Sequence, residues 1–174
     1  MVLAAMTMRR IPWIALALAL LFAIFYFSST VSSLPPFVAS HFDAAGHPNA
    51  HMTREFYSKF IFTMGVGFPL AMVALLTAIY SKASDMKLPN RDYWLAPERI
   101  AQTRSMLAAH GVWFGCLMVA MVCYVHWLEL GAHRSTPPQL SNPMLMGGLV
   151  AFMAISVGWI LALLRTFRRP REPV

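Results

Sequence analysis

His126, Glu129 and His133 stand at i, i+3 and i+7, a spacing that lines up two imidazoles and a carboxylate on one stripe of a helix. These are ligand types that zinc or copper accepts. Upstream, His41, Asp43, His47 and His51 crowd one short stretch between apolar runs. If that stretch folds back over the helix end, His41 and Asp43 would complete a metal site with His126, Glu129 and His133. The competing reading is that all of these are interfacial polar groups. For His41 it predicts a hydrogen bond to a loop backbone group or to a polar residue such as Glu129, with Phe42 packed on the membrane surface.

Other candidate chemistry is sparse. His110 is a lone polar residue in an apolar stretch, a position where a proton path or a haem ligand is a natural question. His126 lies sixteen residues further along, roughly 24 Å on the same helix, too far to serve as a second ligand. A close helix contact beside Gly111 accounts for His110 without function. Cys116 and Cys123 are seven residues apart, about 10 Å along a helix, and cannot bridge to each other. There is no phosphate loop, no nucleophile elbow, no Cys-x-x-Cys and no intramembrane carboxylate pair. An enzyme is therefore not expected, and no cofactor is called for.

The elements that must position these residues are four apolar runs, Ile11–Phe27, Phe60–Tyr80, Leu107–Leu128 and Met144–Leu164. Each has the roughly 17–22 residues that a helix needs to cross about 30 Å of hydrocarbon. In lipid a spanning segment must satisfy its own backbone, which leaves the helix as the solution here. The expected fold is an all-α integral membrane protein, a single four-helix domain over residues 1–174. The first run is read as a retained helix, because it exceeds a signal-peptide core and ends in the aromatic cluster Phe25-Tyr26-Phe27.

Charge sets the expected orientation. Eleven of the 14 Lys and Arg residues fall in the N-terminal stub, the segment 81–106 and the tail 165–174. Only Arg54, Lys59 and Arg134 fall in the two other loops, 28–59 and 131–143. The positive-inside rule then makes both termini cytoplasmic, with 28–59 a long ordered first periplasmic loop and 131–143 a second. This implies a multi-pass membrane protein. The net charge of +7 is a topology signal, and no nucleic-acid partner is expected.

Local signals refine the picture. Phe37–Phe42 alternates as a short extended stretch should, and burial of Leu34, Phe37, Val38 and Phe42 against the helix ends would order it. Thr53 reads as an N-cap with Glu55 near the positive end of the second helix. Pro69 predicts a kink, with Gly65 and Gly67 permitting close helix approach. Pro97 predicts the start of the third helix. Gly111-x-x-x-Gly115 predicts a small-residue helix contact.

Leu34, Pro35, Val38, His41, Phe42, Gly46 and Lys59 together resemble the signature of the bacterial SdpI-like membrane family, known for the immunity protein of a sporulation-delaying toxin. In that family the signature also follows one membrane helix and reads Leu-Pro, a branched residue, His-Phe, Gly and a Lys before the second helix. The segment Pro89–Arg99 is similar as well, so the resemblance covers roughly residues 10–105. It implies an integral membrane protein without an established catalytic activity. The first expectation is thus a small inner-membrane protein acting by intramembrane protein–protein contact, in an accessory, sensing or immunity role. Its partners would be the bilayer and a membrane protein or a second copy. The alternatives are a structural subunit of a larger respiratory or transport complex and a periplasm-facing metal-binding protein.

Overall fold

All four apolar runs are helical in the computed structural model, which describes residues 2–82 and 88–168. Helix α1 spans Val2–Thr30 and ends in a single 3₁₀ turn, Val31–Ser33. A two-stranded hairpin follows, β1 (Phe37–Phe42) and β2 (Pro48–Thr53). Helix α2 (Arg54–Phe62) then runs through a π-helical turn (Thr63–Gly67) into α3 (Phe68–Ser81). A one-turn helix α4 (Arg91–Trp94) precedes α5 (Ile100–Ala132), and α6 (Asn142–Thr166) closes the bundle. The stretches Arg10–Ser33, Arg54–Ser81, Ile100–Ala132 and Asn142–Thr166 are long enough to cross a membrane, with mean hydropathies of 2.2, 2.0, 1.9 and 2.2.

Helix α5 is the central element, packed on α1, on α3 and, less extensively, on α6. The core joins Leu16, Ala23, Phe27 and Val31 of the α1 side to Ile61 and Val73 and to Val112 and Val119 of α5. Outward residues such as Leu18, Leu21, Phe25 and Val150 are large, apolar and exposed, as a lipid-facing surface requires. Helix association against lipid rests on close packing more than on the hydrophobic effect, which makes the glycines informative. A Cβ on Gly115 would meet Val73 Cγ2 at 2.6 Å, while one on Gly111 would meet Leu76 Cδ1 at 3.4 Å. Gly65 is closed off by the Phe27 ring.

Pro69 follows closely on the π turn. Proline lacks the amide that would bond back to the carbonyl of Gly65, and its ring clashes there; the widened turn accommodates both. Thr53 is the N-cap of α2, its Oγ1 accepting from the amide of Phe56 at 3.2 Å. The third span begins at Ile100 and not at Pro97. Residues 95–99 form a turn in which the Ala96 carbonyl accepts from the amides of Arg99 and Ile100. Thr103 Oγ1 donates to the Trp94 carbonyl at 2.7 Å and ties that turn to α5. At the same end, Asn90 Nδ2 and Trp94 Nε1 both donate to the Phe167 carbonyl at 3.0 Å, while the Phe167 ring packs with Leu107. The exit of α6 is thereby fastened to α4.

The strand expected over Phe37–Phe42 has a partner that the alternation did not reveal. Phe37 pairs with Thr53, Val38 with Met52 and Ala39 with His51, then His41 with Ala50 and Phe42 with Pro48. Ser40 is the extra residue of a bulge, and the consecutive residues Val38 and Ala39 before it are both buried. Leu34 and Val38 enter the core, worth about 1.5–3 kcal/mol each relative to exposure in water. Phe37 does not follow the expectation. It is 65% exposed, because it faces opposite to Val38 on the strand.

Candidate functional site

The hairpin end of the bundle holds the polar cluster. Its centre is His126, fully buried among rings: Tyr26 and Phe27 meet it edge-on, each at 5.2 Å, and Tyr57 stacks on it at 5.8 Å. Both ring nitrogens are engaged. Nε2 lies 2.8 Å from Thr30 Oγ1 and Nδ1 lies 2.8 Å from the Tyr57 hydroxyl. The direction of these bonds follows from one further contact. Thr30 Oγ1 donates to the Tyr26 carbonyl at 2.5 Å, so its lone pair accepts from His126 Nε2–H. Nδ1 is then the acceptor, and Tyr57 O–H donates to it. In this neutral tautomer every donor and acceptor is matched.

Geometry also limits what this chain of bonds does. It ends on a helical backbone carbonyl, which has no proton to pass on. The arrangement is a tie among α1, α2 and α5, not a conduit. With both nitrogens occupied, His126 offers no lone pair to a metal.

One turn further along α5, Glu129 and His133 form a second pair. Ala39 N–H donates to His133 Nε2 at 3.3 Å, so Nδ1 carries the proton and points to the Glu129 backbone carbonyl at 3.0 Å. Glu129 Oε1 is 3.3 Å from the same nitrogen but off the N–H line, and it is a buried oxygen without a hydrogen bond. Sequence spacing thus placed His126, Glu129 and His133 on one helix, and the fold engages the two histidines with backbone and hydroxyl groups. His41 is exposed, and no side-chain hydrogen bond of His41 is seen among the described residues. A loop-to-helix bond is made two residues earlier, by the Ala39 amide to His133 Nε2. Asp43 lies in the hairpin turn, where its carboxyl is engaged by backbone amides. Among the described residues no three His, Cys, Asp or Glu side chains gather as a metal-binding group.

The signature residues have distinct structural places. Gly46 has φ +84°, and a Cβ there would run into the Leu140 carbonyl. Its own carbonyl accepts from the Leu140 amide at 2.9 Å, docking the hairpin onto the loop before α6. Lys59 pairs with Glu55 at 2.7 Å in full exposure, a surface i, i+4 contact. His110 is half-buried at the seam with α6, its ring edge 5.6 Å from Trp159. Tyr57, Thr30 and Tyr26 were missed as partners of His126. Thr30 belongs to a Ser/Thr run that reads as loop, and nothing local links Tyr57 to a residue sixty-nine positions away.

Asp43 anchors the turn that carries Gly46. Its Oδ1 accepts from the amides of Ala45 at 2.8 Å and His47 at 2.9 Å. The His47 amide most strongly, together with the Ala45 and Gly46 amides and the nearby His47 ring, holds this carboxyl below the ordinary range. A depressed folded pKa means that the contribution is complete above the unfolded value of about 3.9 and is lost as pH falls through the folded one. Amide exchange at Ala45 and His47, corrected for intrinsic rates, should therefore accelerate as pH drops below about 4. Asp43→Asn should abolish that step, and an unchanged profile in the variant would contradict the assignment.

Comparisons with protein-family models, with curated proteins and with solved structures found no match to this chain. Fold and site together define the class: a multi-pass membrane bundle of four helices, capped at one end by a docked β-hairpin.

Proposed function

We propose that this chain is a small bacterial inner-membrane protein that acts by contact with another membrane helix, in an accessory, sensing or immunity role of the SdpI-like kind. The observation that carries this reading is the outward face of α6. That helix has no buried residue. It meets α5 through Gly148, set against the Tyr124 ring, and Trp159, set against His110 and Phe114. Roughly 100° around the helix from these lie Gly147, Ala151, Ala154 and Gly158, at i, i+4, i+7 and i+11, all exposed. The space outside Gly147 and Gly158 is open to 4 Å. A continuous stripe of small residues lets a second helix backbone approach closely, which is how helices associate in lipid.

A photo-crosslinking residue at Ala154 should capture a discrete protein from native membranes, either a second copy or a partner. The same residue at Leu21 on the exposed face of α1 should not. Ala151→Leu together with Ala154→Leu should remove the crosslinked species and leave thermal stability unchanged. Equal capture from both positions would reject the reading.

The orientation belongs to the same proposal. The basic residues Arg91, Arg99, Arg104, Arg165 and Arg168 cluster toward the α4 end, which supports a cytoplasmic location for that end and a periplasmic one for the hairpin. Ala44→Cys and Ser135→Cys should react with a membrane-impermeant thiol reagent applied from the periplasm, and Glu98→Cys should not. Labelling of Glu98→Cys from that side would invert the topology.

A further inference from the structure

Under the hairpin, where β1 and its turn lean over the junction of α5 and α6, there is a cleft of about 420 Å³. This falls within the range of small-molecule sites, about 300–1,000 Å³. Its walls are largely apolar, contributed by Phe42, Val125, Leu128, Leu140 and Leu145. The acid within it is Glu129, 9% exposed, with a carboxyl oxygen that no group hydrogen-bonds. His133, its neighbour, receives the Ala39 amide on Nε2 and directs its one proton to a backbone carbonyl, so in this arrangement it brings no positive charge to the carboxyl. That oxygen is Oε1, packed 3.3 Å from His133 Nδ1, and Glu129 brings an under-bonded carboxyl to the wall of the cleft, where a donor would offset the cost of burial.

The rim completes the pattern. Asp43 and His41 line the same cleft from the hairpin. The Asp43 carboxyl is kept ionised by the amides of its own turn, so the mouth is negative. A larger cavity, about 630 Å³ beside Ser28, Ser32 and Arg54, lacks this combination: the Arg54 guanidinium is already bonded to the carbonyls of Ser32 and Leu34.

We propose that this cleft binds a small amphipathic amine, its ammonium group donating to Glu129 and its apolar body lying against Leu128, Leu140 and Leu145. A divalent metal fits less well, because Glu129 is the one buried acid here and the Asp43 oxygen Oδ1 is held by two amides. A neutral alcohol of the same shape would enjoy the walls but carry no charge to the carboxyl. The inference is independent of the α6 contact, which lies on a different face.

The test is titration of the full chain in detergent micelles with n-hexylamine near neutral pH, followed calorimetrically. n-Hexanol and zinc chloride serve as comparison ligands, and protein-free micelles supply the partition background. The wild-type chain should bind hexylamine saturably at about one per chain and hexanol at least tenfold more weakly. Glu129→Gln should weaken the amine at least tenfold and leave hexanol unaffected. Leu145→Trp, which fills the cleft and keeps the carboxyl, should also weaken the amine, so the proposal remains testable if Glu129→Gln fails to fold. Amine binding equal in wild type and in either variant would reduce the signal to micelle partition and overturn the proposal. Saturable zinc binding that Glu129→Gln abolishes, with no amine binding, would overturn it in favour of a metal.

Discussion

Replacing His126 by alanine should lower the unfolding free energy by about 3–5 kcal/mol, as read from thermal or SDS unfolding in detergent. Three losses act together. The imidazole fills a space bounded by Tyr26, Phe27 and Tyr57, so its removal opens a cavity among buried rings. The Tyr57 hydroxyl loses the acceptor at 2.8 Å, and Thr30 Oγ1 loses the donor at 2.8 Å. Thr30 keeps its bond to the Tyr26 carbonyl, but the Tyr57 hydroxyl loses its acceptor, and a stranded polar group in a low-dielectric interior costs about 1–3 kcal/mol. Finally, the residue joins three helices, so its loss loosens α1 and α2 from α5 at once. Tyr57→Phe should cost less, about 1–2 kcal/mol, because it strands only His126 Nδ1. The double variant should cost clearly less than the two single effects added, since each removes a partner of the same bond. Simple additivity, or a loss below about 1 kcal/mol for His126→Ala, would mean that the buried network does not hold the bundle together.

The second large effect is steric. Gly115→Leu should destabilise more than Leu107→Ala, a core truncation expected to cost about 2–5 kcal/mol. A Cβ at Gly115 already meets Val73 Cγ2 at 2.6 Å and Leu16 at 3.5 Å, so a larger side chain must separate α5 from α3 and α1. Alanine discriminates more finely. Gly115→Ala and Gly65→Ala should each cost about 1–3 kcal/mol, and Gly111→Ala less than about 1. Gly111 faces Leu76 at an ordinary contact distance. Gly65 faces the ring of Phe27, which is wholly buried and held edge-on by Phe62 and His126, and so has no room to retreat. Equal stability of the Gly111 and Gly115 variants in one detergent would contradict this ranking of the helix contact.

The sequence by itself determined the spans, because the need to satisfy every backbone group in hydrocarbon leaves a signal in length and hydropathy alone. The same holds for features written within a few residues: Thr53 as a cap, and the closeness of helices at Gly115. Which face of α6 looks away from α5 depends on where Trp159 and Gly148 pack.

Only the tertiary structure decided the rest. The strand partner of Phe37–Phe42 is a run containing Pro48, Asn49 and His51, residues without a strong strand preference, held by pairing and by the docking of Gly46 on Leu140. The bond from the hairpin to the end of α5 is made by the Ala39 amide to His133, not by the His41 side chain expected to make it. The histidines of α5 read alike as ligands because periodicity reports a shared face and nothing about what meets it. Thr30 and Tyr57, brought in from α1 and α2, occupy both nitrogens of His126, whereas Glu129 keeps a buried oxygen without a hydrogen bond and lines a cleft. Hydrogen bonds act over about 3 Å, and the residues that make them here are separated by up to ninety-six positions in the chain, so local pattern carries no trace of them.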